Sequence, residues 1–271
     1  SLDSIDAPTE GGVVIAGGTS RITNSGTISG AGTGIDTNYY YNAETNSLEA
    51  RAIGTSVENS GAIVGDTNDG VRLMGGGTVT NSGFIAGRVG DFADGISMFA
   101  FDGQDTTGQA SIGTVVNQAG GTIEGNRFGI ILSGGGVIEN AGTIRGPSQP
   151  TGFSDGAGGI VIQGDEGQTG IVTNSGMITG GHGVQFGSNL SSGQVTNSGE
   201  IEGLVDYGVV NYTGGTLTVS NEAAGTIEGA KTGIWAAGRG PLDLINAGTI
   251  RGNGSLDSID APTEGGVVIA G

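Results

Sequence analysis

The sequence lacks several features that commonly stabilise a chain or bring it to a membrane or a nucleic acid. It contains no cysteine, so disulfides cannot stabilise it, and only one Trp, five Tyr and seven Phe are available to fill a core. Against 27 Asp and Glu residues there are 9 Lys and Arg residues, a formal net charge of −18. Nucleic acids and anionic membranes attract basic surfaces, so this charge disfavours both as partners. No apolar run is long enough to span a membrane and no signal peptide is recognisable, so we expect no direct membrane insertion.

Glycine is abundant instead, with 60 residues in a chain of 271, and much of it belongs to a recurring segment. The segment reads ITNSGTISG at residues 22–30, in the order apolar, any, Asn, small, Gly, any, Ile, any, Gly. Further copies, two of them with two extra residues at the turn, are residues 57–65, 79–87, 115–125, 138–146, 172–180, 195–203, 219–229 and 244–252. Self-similarity at this density predicts a repeat architecture.

Each unit contains three short β-segments separated by glycine-rich corners. A glycine and a β-branched residue follow each copy, as in Gly70-Val71 and Gly95-Ile96. Alternation along a strand places the apolar residue, the Asn and the Ile of each copy on one side and the mostly polar intervening residues on the other. We expect glycine to supply positive φ at the corners. The Asn residues that mark successive units are Asn24, Asn59, Asn81, Asn117, Asn140, Asn174, Asn197, Asn221 and Asn246.

The spacing of these Asn residues predicts the fold. They are 22 to 25 residues apart, or 34 to 36 where a segment is inserted. The shorter spacing suits three strands and three corners, which is one coil of a parallel β-helix, and parallel crossovers favour right-handed winding. We therefore predict an all-β fold, in which residues 1–271 form one domain, a right-handed three-faced parallel β-helix of nine to ten coils. Loops are expected at the insertions, which absorb extra residues at the surface: residues 37–56, 99–113, 147–158 and 253–264.

The repeated Asn is polar, yet its position predicts that it points inward. Stacked Asn side chains can bond one another from coil to coil as a ladder. A satisfied hydrogen bond contributes about 0.5–1.5 kcal/mol, whereas an unpaired buried amide costs about 1–3 kcal/mol. We therefore predict a continuous ladder through all nine Asn residues.

The two ends of the chain have the same sequence. Residues 1–17 (SLDSIDAPTEGGVVIAG) recur unchanged as residues 255–271, an offset of 254 residues. The short repeats have diverged whereas the ends are identical, which indicates a long tandem period of 254 residues; a duplication that is not natural is the alternative. No atypical capping unit is visible, and an uncapped β-helix has strand edges that favour association. We expect a chain that continues through both ends, or copies that stack head to tail.

The middle residue of the third strand is predicted to face outward, and its character changes along the chain. It is Asp36, Arg72 and Ser97 in the first coils. Apolar residues at the same position of adjacent coils would form a stripe, and an exposed stripe is typical of an interface. Two interpretations stay open: an insertion loop covers the stripe, or the stripe makes a lateral contact with another rod or a partner, with Trp235 as its anchor. Its members are Ile131, Val161, Val210, Trp235 and Val268.

Candidate catalytic and metal-binding groups are few. Carbohydrate-active β-helices need paired acids, and the spacing of the acids in this sequence does not fix their mutual distances. The one histidine, His182, is predicted at a solvated corner between two glycines. Residues 66–69 and 91–94 are candidates for Ca²⁺, but they match neither the EF-hand loop nor the Gly-Gly-x-Gly-x-Asp nonapeptide. We therefore expect ordinary acidic turns and no metal or other cofactor. The candidate acids are Asp91, Asp94, Asp102, Asp105, Asp165 and Glu166.

The recurring Val-Thr-Asn-Ser-Gly-x-Ile-x-Gly segments, with the Gly-[Ile/Val] pairs that follow them, resemble the β-helical passenger repeats of autotransporters and related large β-strand-repeat exoproteins of Gram-negative bacteria. The likeness covers essentially the whole chain, and no catalytic motif carries over. It implies an adhesin-like protein exported to the cell surface, with a role as a shaft, filament or matrix fibre. The partners it implies are other copies of the chain and a host or matrix surface.

Two functional hypotheses follow. In the first, the chain is not an enzyme but an acidic, rod-forming segment of an extracellular filament or adhesin stalk. The alternative is a carbohydrate-active β-helix, a polysaccharide lyase or glycosidase with its site among the acids of residues 91–105. Glycan turnover that is abolished by Asp102→Ala would favour the alternative.

Overall fold

The computed structural model describes residues 11–37, 39–42, 47–50, 52–99, 113–148, 157–238, 240–254 and 265–269. Every regular element in these ranges is a β-strand. The same ranges contain no helix that could cross a lipid bilayer. The described part of the chain is therefore all-β, as predicted.

The described residues form thirty strands, numbered here in chain order. The first ten are β1 (Val13–Ile15), β2 (Arg21–Asn24), β3 (Thr27–Gly30), β4 (Ile35–Thr37), β5 (Tyr39–Asn42), β6 (Ser47–Ala50), β7 (Thr55–Asn59), β8 (Ala62–Gly65), β9 (Val71–Leu73) and β10 (Gly77–Asn81). The next ten are β11 (Phe84–Gly87), β12 (Ile96–Phe99), β13 (Gly113–Asn117), β14 (Thr122–Gly125), β15 (Phe128–Ser133), β16 (Gly136–Asn140), β17 (Thr143–Arg145), β18 (Gly158–Gly164), β19 (Thr169–Asn174) and β20 (Met177–Gly180). The last ten are β21 (His182–Ser188), β22 (Ser192–Asn197), β23 (Glu200–Gly203), β24 (Tyr207–Asn211), β25 (Thr216–Asn221), β26 (Thr226–Gly229), β27 (Thr232–Ala236), β28 (Leu242–Asn246), β29 (Thr249–Gly252) and β30 (Gly265–Ile269).

Three long parallel sheets are built from these strands. Sheet A has the order β1-β4-β9-β12-β15-β18-β21-β24-β27-β30, sheet B has β2-β7-β10-β13-β16-β19-β22-β25-β28, and sheet C has β3-β8-β11-β14-β17-β20-β23-β26-β29. One coil passes through sheet B, then sheet C, then sheet A. The chain thus winds as a three-faced parallel β-helix, which confirms the predicted fold. Part of the first insertion forms a separate antiparallel hairpin of β5 and β6.

The register keeps equivalent residues of the repeats in columns. Asn81 pairs with Asn59 of the preceding coil and with Asn117 of the following one, although these neighbours are 22 and 36 residues away. The insertions are therefore absorbed between strands and leave the ladder of strands in register.

The interior is filled mainly by β-branched side chains. The Ile of each repeat forms a column on the inner face of sheet C, opposite a column of Val and Ile from sheet B. Full burial of one such side chain stabilises the folded chain by about 1.5–3 kcal/mol. The column residues of sheet C without any exposed surface are Ile63, Ile85, Ile123, Ile144, Ile178, Ile201 and Ile227.

In every coil after the first, the glycine of the repeat is required for space. At Gly61 an added Cβ would lie 2.0 Å from the carbonyl oxygen of Gly26, the equivalent residue one coil earlier. Equivalent clashes at 2.1 or 2.2 Å occur at Gly83, Gly142, Gly176, Gly199 and Gly248. None of these glycines has a positive φ, so the expectation that corner glycines supply positive φ is wrong for the repeat glycine. Positive φ is used elsewhere, as at Gly77, where φ is 145°.

Candidate functional site

The nine repeated Asn residues form one uninterrupted hydrogen-bonded column. The Nδ2 group of each Asn donates to the Oδ1 atom of the Asn in the next coil at 2.8 or 2.9 Å. The Nδ2 group of Asn59 also lies 3.2 Å from the carbonyl oxygens of Gly61 and Phe84. From Asn59 to Asn221 the side chains are at most 3% exposed. The predicted inward ladder is confirmed.

The ladder has a direction, which makes its two ends different. In the first coil, the Oδ1 atom of Asn24 accepts a bond from the backbone N–H of its own turn, at Gly26 (3.2 Å). In the last coil, the Nδ2 group of Asn246 donates to the carbonyl oxygen of Gly248 (3.3 Å). Neither atom has an Asn partner among the described residues. One end of the helix therefore presents an amide acceptor and the other presents an amide donor.

Both ends of the described helix also expose its interior. Ile22 and Leu244 occupy the same inward column as Val57 and Val219, which have no exposed surface, but they are only partly buried. The edge strands β2 and β28 each pair on one side. Among the described residues, no separate element covers either end.

The outward face of sheet A is unlike that of the other two sheets, because much of it is buried. The register aligns the five residues of the predicted stripe in one column. Ile131, Val161 and Val210 are 5%, 0% and 0% exposed, Trp235 is half-buried, and the side chain of Val268 lies outside the described residues. The column exists as predicted. Ile131, Val161 and Val210 are buried, however, so they do not form the exposed surface that a lateral contact would use.

A second outward column of sheet A was not identified from the sequence. Its members are the residues immediately before each Gly–β-branched pair, and backbone bonds and register place them one above another. We call the two columns together the outer layer of sheet A. The larger side chains of the second column are Thr33, Asp69, Asp94, Phe128, His182, Tyr207 and Thr232.

The first part of the outer layer is ionic. Arg72 donates two hydrogen bonds to Asp36, at 2.9 and 2.5 Å. Asp69 accepts one bond from the Ser97 hydroxyl at 2.6 Å and another from the backbone N–H of Asp94 at 3.0 Å. Asp36, Asp69 and Ser97 are at most 4% exposed. The three acidic and hydroxyl side chains are thus held by specific partners away from water.

Arg127 completes this ionic part. It donates two bonds to Asp94, at 3.0 and 2.5 Å, and Asp94 has no exposed surface. Its guanidinium carbon lies 5.2 Å from the ring centre of Phe92 and 4.8 Å from that of Phe128, so that two aromatic rings contact the cation. The rings and the carboxylate together fix the guanidinium in place.

Burial changes the protonation of the two central acids. It raises the pKa of Asp94 from 3.8 to about 7, against the lowering effect of the Arg127 bonds and with a further rise caused by the charge of Asp69. Burial also raises the pKa of Asp69. Asp94 keeps a two-point cation partner, whereas Asp69 is bonded by a hydroxyl and a backbone amide. Asp69 is therefore the buried acid whose charge is compensated less fully.

The last part of the outer layer is aromatic. The rings of His182 and Tyr207 are stacked with centres 5.2 Å apart, and the ring of Tyr207 lies 4.4 Å from that of Trp235. Tyr212 packs edge-on against Trp235 at 5.6 Å. His182 is 4% exposed and burial lowers its pKa. The prediction of a solvated corner at His182 is therefore wrong.

Four buried polar atoms in this part of the layer have no hydrogen-bond partner among the described residues. They are His182 Nδ1, Gln185 Oε1, Thr232 Oγ1 and Trp235 Nε1. An unpaired buried polar group destabilises a fold by about 1–3 kcal/mol. The buried polar atoms of this part of the layer are therefore less completely hydrogen-bonded than those of the ionic part.

Among the described residues, the candidate acids and calcium turns do not converge on one site. Asp91 is exposed while Asp94 is buried against Arg127, so these two acids do not form a catalytic pair. Asp165 and Glu166 lie in an exposed turn beside a shallow groove, and Asp102 and Asp105 lie outside the described residues.

The turns at residues 66–69 and 91–94 are not the ordinary acidic turns that were predicted. Their last acids, Asp69 and Asp94, belong to the buried outer layer. Ser97 and Arg127 occupy the oxygens of those acids, so that a cation could not reach them without displacing these partners. Within the described ranges, no group of three or more His, Asp or Glu side chains is placed to hold a metal ion.

Comparison with known proteins gives no relative: no family model, no curated protein and no solved structure matches the chain.

Proposed function

We propose that the chain is a structural, non-enzymatic segment of an extracellular surface filament or adhesin stalk, in which nine-coil blocks stack end to end through the open ends of the β-helix. The observation that carries the proposal is the polarity of the Asn ladder. Asn246 ends it with a donor and Asn24 begins it with an acceptor. These are the same two groups that bond at 2.8 or 2.9 Å between all neighbouring coils.

The long sequence period supports this proposal. The strands β2 to β30 make nine complete coils in the order of sheets B, C and A. An offset of 254 residues separates the identical end segments, so a whole number of coils corresponds to one period. Nine coils at a strand spacing of about 4.8 Å would add roughly 43 Å of rod per block.

The charge of the chain is compatible with a long rod. A net charge of −18 favours solubility and makes the sides of parallel rods repel one another. Complementary hydrogen-bonding groups at the two ends would direct association along the axis. The basis for placing the rod outside the cell is the resemblance of its repeats to exported β-helical passengers.

The substitution Gly26→Ala, which adds a single methyl group, tests the stacking. At Gly26 an added Cβ would meet no atom within 4 Å, because no coil precedes it in the described chain. In a stack it would face the carbonyl oxygen of Gly248 in the preceding copy, where equivalent positions give distances of 2.0 to 2.2 Å. Gly26→Ala should therefore fold normally but block stacking, whereas Gly214→Ala, whose added Cβ would also meet nothing within 4 Å, should leave stacking unchanged.

Electron microscopy and sedimentation of the three proteins over a range of concentrations provide the measurement. We expect uniform fibres of the unchanged chain and of Gly214→Ala, and short particles of Gly26→Ala. Short particles of all three proteins at every concentration would contradict the proposal.

The carbohydrate-active alternative has less support. It requires accessible acids, whereas Asp94 is buried and bound to Arg127. Release of reducing ends or unsaturated products from acidic or neutral glycans would nevertheless favour an enzyme over a rod.

A further inference from the structure

The three sheets contain unequal numbers of strands. Among the described residues, sheet A has ten strands, whereas sheets B and C have nine each. Nine coils are complete from β2 to β30, so β1 is the additional strand. Its sequence is that of the last strand, since residues 11–15 and 265–269 both read GGVVI. The same segment thus forms both edges of sheet A, as β1 against β4 and as β30 against β27.

We propose that two copies dock head to tail by strand replacement, in which β30 of one copy takes the position of β1 against β4 of the next copy. This inference rests on the proposed end-to-end stacking and specifies its joint. If β1 stayed in place, every joint would contain one strand more in sheet A than in sheets B and C. With β1 displaced, all three sheets continue from one copy into the next.

The pairing on both sides of the shared strand is already present in the structure. Val267 of β30 pairs with Ile234 of β27, and Val13 of β1 pairs with Ile35 of β4. Val13 and Val267 are the same residue of the same segment. β30 can therefore keep β27 on one side and take β4 of the next copy on the other, as interior strands of sheet A do.

β1 is the strand that is displaced, because it pairs with fewer residues than β30 does. β1 has three residues and three register partners, whereas β30 has five residues and four partners. β30 also closes the ninth coil after β29, whereas β1 precedes the first complete coil. Displacing β1 exposes the edge of β4 and leaves all nine coils intact.

The register of sheet B places complementary groups at the same joint. Extending the pairing of β25 with β28 by one coil brings Leu244 beside Ile22 and Asp243 beside Arg21 of the next copy. Arg21 is 70% exposed and bonded at present to Glu58 at 2.7 Å, and Asp243 is exposed. The joint thus combines two half-exposed interior residues with two opposite charges.

These features select a second copy of this chain as the occupant of the ends. The open edge of β4 is matched by the strand sequence that already pairs with it, and the ladder acceptor of Asn24 is matched by the donor of Asn246. An unrelated partner would have to reproduce the strand, the ladder donor and the charge in one register.

A disulfide trap in the full chain tests the docking register. Thr23 and Ile245 are exposed at opposite ends of sheet B and would be neighbours across the joint, at a Cα spacing of about 4.8 Å that a disulfide tolerates. Within one chain the two residues are roughly 38 Å apart, so a bond between them must join two copies. The unsubstituted 271-residue chain has no cysteine to interfere.

Oxidised Thr23→Cys/Ile245→Cys protein should run as a ladder of multimers on a non-reducing gel. The matched control is Ser29→Cys/Ile245→Cys, which places one thiol on sheet C and the other on sheet B. The control should give at least tenfold less multimer. Equal yields would contradict the predicted register.

The same substitution in each copy of the duplicated strand tests the replacement step. In the Thr23→Cys/Ile245→Cys background, Val267→Asp should lower the multimer yield at least tenfold because it damages the strand that enters the joint. Val13→Asp should leave the yield unchanged or raise it, because it damages the strand that leaves. A loss with Val13→Asp, or equal effects of both changes, would overturn strand replacement.

Hydrogen exchange on the unsubstituted chain gives a readout that does not depend on the folding of variants. On assembly, the amides of Val13–Ile15 should lose protection while those of β30 gain it; gain at both segments would contradict the inference. Fibres without these changes would reject strand replacement and leave the stacking proposal standing. The absence of both fibres and multimers would reject both.

Discussion

Arg127 and Asp94 form a two-point ion pair, at 3.0 and 2.5 Å, in which the carboxylate has no exposed surface. The pair lies on the outside of sheet A rather than in the core, and Phe92 and Phe128 contact the guanidinium group. A buried ion pair adds little net stability over apolar residues, but the loss of one partner leaves a buried charge unpaired. The outer layer therefore behaves as a second interior whose polar members depend on one another.

Removal of Arg127 should destabilise the chain strongly. Arg127→Met leaves Asp94 unpaired, and we expect the free energy of unfolding to fall by about 3–5 kcal/mol, measured by denaturant titration. Arg145→Met breaks the exposed pair with Glu124 (side chains 53% and 38% exposed) and should cost only about 0–1 kcal/mol. In the double variant Asp94→Asn/Arg127→Met most of the loss should be recovered. Equal losses for Arg127→Met and Arg145→Met would contradict the buried pairing.

The raised pKa values of the buried acids in the outer layer should make the stability of the fold depend on pH. A carboxyl group whose pKa is higher in the folded than in the unfolded chain binds extra protons when folded, so stability falls as the pH rises between the two values. For Asp94 this window runs from 3.8 to about 7, and the pKa of Asp69 is raised as well. Asp69→Asn removes one acid while an amide can still bond Ser97. Its stability relative to the unchanged chain should therefore increase as the pH rises through the window.

Unfolding midpoints of both proteins over a pH series provide the measurement. The buried His182 acts in the opposite direction, because its lowered pKa makes stability fall as the pH drops below its ordinary value of 6.5. This contribution is common to both proteins and cancels in their difference. Parallel pH profiles would contradict a raised pKa of Asp69 in the folded chain.

The fold and the ladder could be predicted because they depend on the short period alone. Once Asn81 and Ile85 are assigned to the inner side, their equivalents in all other coils must follow, since any other register would move the apolar residues to solvent. The length of the insertions does not matter to this argument, and neither does their conformation. The pairing of Asn81 with Asn59 and Asn117 is the outcome.

The outer layer of sheet A could not be predicted in the same way. Whether an outward residue such as Val161 is exposed depends on what packs over the sheet, which periodicity does not encode. A useful signal was nevertheless present. Asp69, Asp94, His182 and Tyr207 all precede the Gly–β-branched pair, and aligning them would have placed His182 on Tyr207, where the structure stacks their rings. The glycines on either side of His182 did not indicate that it is exposed, because they provide space for the neighbouring coils.

The Asn ladder should contribute to stability because its side-chain amides are buried and hydrogen-bonded to one another. Asn81→Ala removes one buried amide and leaves Asn59 without its acceptor and Asn117 without its donor. We expect a loss of about 1–3 kcal/mol in the free energy of unfolding, the cost of an unsatisfied buried group. Thr80→Ala changes the adjacent outward residue and should be close to neutral. The comparison is made by denaturant titration, and equal effects of the two changes would be inconsistent with the ladder's role.

The last prediction uses the same substitution at two equivalent positions of the repeat. Gly61→Ala would place a Cβ 2.0 Å from the carbonyl oxygen of Gly26, so the first two coils would have to separate. Because neighbouring strands are about 4.8 Å apart and share hydrogen bonds, we expect the Tm to fall sharply and β2 and β3 to lose hydrogen-exchange protection. Gly26→Ala meets no atom and should leave the Tm of the dispersed chain unchanged. A small effect of Gly61→Ala would mean that the repeat glycine is retained for a reason other than the close approach of coils.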